Sequence, residues 1–237
     1  FQQMAKNAME QIYANGHIPI VVGGTGFYIQ ALLYDIDFTG TAQDDTYRVE
    51  LENLVKEKGA AYLHNMLRKV DPKSAEDIHA NNVKRVIRAL EYYRQTGQKM
   101  SEHNEEERRK ESPYEFVYFV LNAPREQLYA RIDRRVDQMI EEGLVDEVKH
   151  LKELGCTKEM VSMQGLGYKE ILAYLDGECD LDTAVYTIKR DTRHFAKRQL
   201  TWFRRERQVT WIQKEVYDYD EDRILKAMLS HLEGRIC

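Results

Sequence analysis

Two stretches of this sequence combine residue types and spacings that could do chemistry. The first is Gly23-Gly24-Thr25-Gly26, set between the apolar, branched run Ile18 to Val22 and the apolar-periodic stretch Phe27 to Tyr34. Glycines between a strand and a helix let backbone N–H groups approach an anion closely, and an open helix start favours negative charge. Thr25 adds a hydroxyl aimed at the same place. The pattern is neither GxxxxGK followed by Ser or Thr nor GxGxxG. By itself it fits a phosphate cradle or a tight left-handed turn equally well.

The second is Lys189 to Arg207, where eight Lys and Arg stand against Asp191 and Glu206, although the 237-residue chain carries a net charge of −5. Lys189, Arg193 and Lys197 recur at i+4, with Arg190, His194 and Arg198 flanking them. On a helix they form one basic stripe that could follow a sugar–phosphate backbone. A solvated surface helix with scattered ion pairs fits the same stripe. Trp202 and Phe203, at its end, read as core. Lys84, Arg85 and Arg88 form a second basic set. Two such sets in separate parts of the chain point to one polyanionic ligand bridging both.

The elements that must position these residues follow from periodicity and punctuation. A helix already under way at Phe1 runs to Asn15, with Gly16 where a C-terminal cap belongs. Ile18–Val22, Phe116–Leu121 and Val209–Ile212 have the apolar, β-branched character of strands buried in a parallel sheet. Helices are expected over Phe27–Tyr34, Asp44–Lys58, Ala60–Val70, Asn82–Thr96, Leu144–Leu154, Tyr168–Leu175, Leu181–Arg205 and Glu221–Leu232. Another runs to Glu142 with Pro124 in its first turn and Asn122 or Ala123 at its cap. The charged stretch Gln98–Ser112 has few apolar residues and reads as a mobile hairpin or an exposed helix end. The architecture implied is an α/β body, residues 1–40 and 112–237, interrupted by an all-helical insertion at 41–111.

Composition narrows the class. Hydrophobic residues are 43% and charged residues 32%, which excludes a disordered chain, and no apolar run is long enough to span a bilayer. Cys156, Cys179 and Cys237 form no CxxC or metal-ligand spacing, and the first residues lack a basic start and an apolar region. A reducing compartment, the cytoplasm, fits these features.

"GGTGFYIQALL", "VDPKSAEDIHANNVKRVIRALEYYRQTG", "QGLGYKE" and "AKRQLTWFR" occur here in one order. In that order, over Ile18 to about Ile212, the chain resembles the tRNA dimethylallyltransferases, also called tRNA isopentenyltransferases. The resemblance implies a P-loop nucleotide-kinase-like parallel-sheet core with an inserted all-helical domain that grips the anticodon stem-loop. It implies transfer of a dimethylallyl group from dimethylallyl diphosphate to the exocyclic amine of the adenosine 3′-adjacent to the anticodon, with release of diphosphate and a need for Mg²⁺. The target base is extruded into a channel where the diphosphate waits.

Residue by residue, Thr25 matches the family threonine beside the scissile oxygen, with Gly23, Gly24 and Gly26 as its diphosphate-binding surroundings. Arg48 matches an arginine that touches tRNA. Lys84 to Arg88 and Lys189 to His194 match tRNA-contacting stretches, and Lys197 and Arg198 continue the second of them. Where this sequence departs from the family, it has no GxxxxGK loop and no aspartate in the context of the family's general base. The resemblance therefore implies a P-loop segment ahead of Phe1, without which the chain is expected to be inactive. Gln164 stands where some members carry arginine. No zinc-finger extension of the kind seen in eukaryotic relatives follows the core, which points to a bacterial protein; a monomer is expected. Two other functions remain open. One is a non-catalytic RNA stem-loop-binding protein that has lost the P-loop half. The other is a small-molecule kinase, which leaves both basic sets without a purpose.

Overall fold

Helix boundaries follow the sequence punctuation closely. The computed structural model describes residues 1–36 and 45–232, in two units, Phe1–Glu115 and Phe116–Cys237. The first unit opens with α1 (Gln2–Ala14) and α2 (Gly26–Leu33) and continues through α3 (Asp45–Lys58), α4 (Ala60–Val70), α5 (Pro72–Asp77), α6 (Val83–Thr96) and α7 (Met100–Arg109). Asp44, the expected start of α3, lies outside the described residues, as does the expected boundary at 40 and 41. Gly97 ends α6 in a left-handed conformation, φ +70°, which glycine adopts without a Cβ penalty.

Leu51 of α3, Leu63 and Leu67 of α4, and Val86 and Leu90 of α6 fill the core of the helical bundle. Burying each leucine contributes about 1.5–3 kcal/mol. Arg48 of α3 donates to Glu91 of α6 through Nε at 2.9 Å and Nη2 at 2.8 Å, a fork that matches both carboxylate oxygens. Glu91 is almost fully buried.

Two elements of this bundle differ from expectation. Asp71-Pro72 starts a short helix, α5, instead of only ending α4. The charged stretch Gln98–Ser112 contains the ten-residue helix α7. Apolar periodicity is weak there because α7 is anchored by a polar contact. Asp71, fully buried, accepts from Ser74 N at 3.0 Å and Ser74 Oγ at 2.6 Å, capping α5. It also accepts from Ser101 N at 2.9 Å and Ser101 Oγ at 2.6 Å, fixing the first turn of α7. Burial pushes the Asp71 pKa up, but the hydrogen bonds from Ser101 and Ser74 outweigh it and hold the carboxyl below its ordinary 3.8.

The second unit contains β1 (Tyr118–Asn122), α8 (Arg125–Glu141), α9 (Leu144–Glu153), α10 (Tyr168–Leu175), α11 (Leu181–Phe203), β2 (Val209–Gln213) and α12 (Glu221–Leu232). β1 and β2 pair in parallel, in register from Tyr118↔Val209 to Asn122↔Gln213. A parallel pair needs a long crossover, here supplied by α8 to α11. Val136, Val148, Ile171 and Ile188 join α8, α9, α10 and α11 in one apolar cluster. Pro124 is itself the N-cap of α8, so neither Asn122 nor Ala123 takes that place. The fold class is α/β, helical with a small parallel sheet.

The expected strand Ile18–Val22 is not one. Ile18, Ile20 and Val22 are 66%, 84% and 89% exposed, and no described segment pairs with them. Apolar β-branched composition fits a pleated surface but does not supply the neighbouring backbone that makes a strand.

Two stability outcomes follow. Asp71→Ala leaves four donors without their acceptor and lowers the unfolding free energy of the first unit by about 3 kcal/mol, measurable by denaturant titration. Because the folded carboxyl titrates below the unfolded one, its contribution is complete above about pH 3.8 and is lost as pH falls through the native value. Asp71→Asn removes that acid-sensitive component. Arg48→Ala strands the buried Glu91 carboxylate and costs about 3 kcal/mol in the same measurement; the paired change Arg48→Met with Glu91→Leu recovers most of it.

Candidate functional site

Thr25 is the N-cap of α2, with φ −91° and ψ 92°. Its carbonyl accepts from Tyr28 N at 2.9 Å and Ile29 N at 3.2 Å, which closes the first turn of the helix. Its hydroxyl does not cap that helix, although threonine at this position commonly does. Thr25 is exposed, so the hydroxyl of a residue in capping position is left for another acceptor or donor. Gly26 is buried as the first residue of α2. Gly23 lies outside the left-handed region and has open space where a Cβ would stand; no turn geometry demands a glycine there.

α1 grips α2 near both ends. Phe1 stacks on Tyr28 at 4.5 Å between ring centroids. Gln2 Nε2 donates to the carbonyls of Ala31 at 2.8 Å and Ile36 at 3.1 Å and to Asp35 Oδ1 at 3.0 Å, closing the C-terminal end of α2. Lys6 Nζ meets the same Asp35 oxygen at 2.5 Å, and that hydrogen bond raises the lysine pKa above its ordinary value. The helix behind the glycine loop is thus held in place by side chains that sequence periodicity assigned to no role.

The basic residues of the first unit separate into two kinds. Arg48 is committed to Glu91. Lys84, Arg85 and Arg88 are exposed on the first turns of α6 and have no ion pair among the described residues.

The same separation runs along α11. Lys189 meets Asp137 at 2.5 Å, and Arg193 meets Asp133 at 2.5 Å, both carboxylates on α8. Asp133 and Asp137 are spaced i+4, as are Lys189 and Arg193, so two turns of one helix zip to two turns of the other. Arg190 pairs with its neighbour Asp191 at 2.8 Å. That hydrogen bond lowers the Asp191 pKa and raises the Arg190 pKa. Arg198 lies 5.7 Å from the Phe195 ring centroid, and His194, Lys197 and Arg198 are exposed. The stripe read from sequence is therefore two ridges: Lys189 and Arg193, tied to α8, and an outward ridge at Arg190, His194 and Lys197. The i+4 acids of α8 were visible in the sequence, but which basic helix they face is decided by packing.

The segment "QGLGYKE" builds the start of α10. Gly167 N donates to Glu170 Oε2 at 2.8 Å, and Glu170 is buried. The Gln164 side chain donates to the Lys158 carbonyl, so its amide is occupied within its own loop. Among the described residues, no three His, Cys, Asp or Glu converge on a metal position. None of the described helices is long and apolar enough to cross a membrane.

Comparison with known proteins joins these features. The family model for IPP transferase matches residues 1–206. The tRNA dimethylallyltransferase of Lachnoclostridium phytofermentans is 59% identical over 232 residues, 98% of this chain and 74% of that protein. The full-length tRNA isopentenylpyrophosphate transferase of Bacillus halodurans superposes with a TM-score of 0.60 at 40% identity, over 97% of this chain and 75% of that one. A eukaryotic dimethylallyltransferase captured acting on tRNA gives a TM-score of 0.75 at 29% identity, over 96% of this chain and 59% of that one. The match spans the glycine loop, the helical bundle and α11 in one chain order, and this chain belongs to the IPP transferase family.

Proposed function

We propose that the full-length protein to which this chain contributes transfers the dimethylallyl group of dimethylallyl diphosphate to the exocyclic amine of the adenosine 3′-adjacent to the anticodon of tRNA, releasing diphosphate. The observation that carries the proposal is Thr25, a family-matched hydroxyl in capping position that its own helix does not use. As the allylic carbon–oxygen bond breaks, negative charge grows on the departing diphosphate. A fixed hydroxyl donor there stabilises the transition state more than the ground state. Gly23, Gly24 and Gly26 keep side chains away from the incoming phosphate, and the start of α2 presents N–H groups to it.

The RNA is held by backbone contacts from Lys84, Arg85 and Arg88 on α6 and from Arg190, His194, Lys197 and Arg198 on α11. Lys189, Arg193 and Arg48 act from within their ion pairs. Such contacts position the hairpin, and base edges identify it. Mg²⁺ enters this proposal as a companion of the diphosphate, since it is commonly held through substrate phosphates and few protein oxygens; no step is assigned to it. The protein works as a cytoplasmic monomer.

The test is turnover of the full-length protein with labelled dimethylallyl diphosphate and an anticodon stem-loop. Thr25→Ala lowers kcat by about 10²–10³, the scale of losing one transition-state donor, while Thr25→Ser retains most of the rate. An unchanged kcat in Thr25→Ala removes the residue from the chemistry. Tight stem-loop binding with no transfer at all supports instead a protein that only holds RNA.

A further inference from the structure

Tyr186 stands on α11 one turn before Arg190 and two before His194, with Lys197 three turns on. Residues at these spacings share one face of a helix. The buried side of α11 is made of Ala184, Ile188 and Ala196, and Tyr186 is not part of it: the residue is 61% exposed. Tyr186 is paired with no other ring and with no hydrogen-bonding group among the described residues, so neither packing nor a polar network accounts for its place.

Charge changes sign at this tyrosine. One turn toward the N-terminus, Asp182 carries a negative charge; one turn the other way, the cations begin. An RNA backbone lying on this ridge gains most from Lys197 and Arg198, which have no ion pair among the described residues, and less from Arg190, whose charge Asp191 partly offsets. A phosphate carried past Tyr186 meets Asp182 and gains nothing. A nucleobase has no such penalty. It is uncharged, and its flat face matches an exposed aromatic ring at low cost in side-chain entropy.

We infer that Tyr186 is a stacking platform for one unpaired base of the bound RNA loop, at the end of the phosphate-holding ridge. This rests on the proposal that the outward face of α11 binds RNA. It adds a residue to that face which works by a different force. Phosphate contacts release counterions and so depend steeply on salt; a stacking contact between neutral rings does not.

That difference supplies the experiment. Affinity of the full chain for an RNA stem-loop with an unpaired loop is measured over a salt series, for the parent, Tyr186→Ala, Tyr186→Phe and Lys197→Ala. Circular dichroism confirms that each variant is folded, as expected for exposed positions. Tyr186→Ala weakens binding by about five- to a hundred-fold at every salt concentration, leaving the slope of log K against log salt unchanged, and Tyr186→Phe restores affinity. Lys197→Ala reduces the slope by about one. Removing single bases from the RNA loop in turn identifies one position where the Tyr186→Ala penalty disappears. Parent-like binding by Tyr186→Ala overturns the inference, and so does a loss that comes with a shallower slope or is not rescued by phenylalanine. With the parent and Lys197→Ala behaving as described, either result leaves the proposed RNA-binding face standing. A parent chain that binds the stem-loop without salt dependence overturns that face and the inference together.

Discussion

The ion pairs between α8 and α11 decide what the longest helix of this chain can present. Asp133 with Arg193 and Asp137 with Lys189 are partly exposed, so each contributes only about 0.2–1 kcal/mol to stability. Their larger effect is on position and charge. Two cations are fixed against a neighbouring helix and neutralised locally, while the cations a fraction of a turn away remain outward. A helix that read as uniformly basic becomes one with a docked ridge and an offered ridge. On the second, Lys197 and Arg198 have no ion pair among the described residues, while Arg190 and His194 share the Asp191 carboxylate.

The glycine loop follows the same logic of what is used and what is left unused. Gln2, Lys6 and Phe1 hold α2 from behind, and the loop leads directly into that held helix. Its threonine closes the first turn with its carbonyl but not with its hydroxyl. A group that stabilises developing charge must not need to reorganise as the charge appears. A hydroxyl at the mouth of a braced helix meets that requirement better than one on a loose loop.

In the helical bundle the organising groups are polar and buried. Asp71 joins the starts of α5 and α7, and Glu91 joins α6 to α3 through Arg48. Neither replaces the apolar core of Leu51, Leu63 and Leu67; each fixes how the helices around that core are placed. A buried carboxylate tolerates few arrangements, because every lost donor carries a full desolvation cost. The bundle that bears Lys84, Arg85 and Arg88 is therefore specified in orientation as well as in composition.

The helices were legible in the sequence because their causes are local: apolar periodicity, with glycines such as Gly97 at their boundaries. The family was legible for a related reason, since four short segments in order are hard to produce by chance. Two of the three expected strands were legible too, as buried apolar runs. The third, Ile18–Val22, has the same composition and no ladder among the described residues, because a strand exists only when another segment supplies its hydrogen bonds. Helix α7 was missed from the opposite side: its anchor is Asp71, thirty residues away in sequence, and no local pattern announces it. Likewise the sequence determined that Lys189, Arg193, Lys197 and Tyr186 lie on one helix. Tertiary structure alone decided that α8 takes the first two and leaves the others facing solvent, because partners are chosen by proximity across the fold and periodicity carries no information about the neighbour.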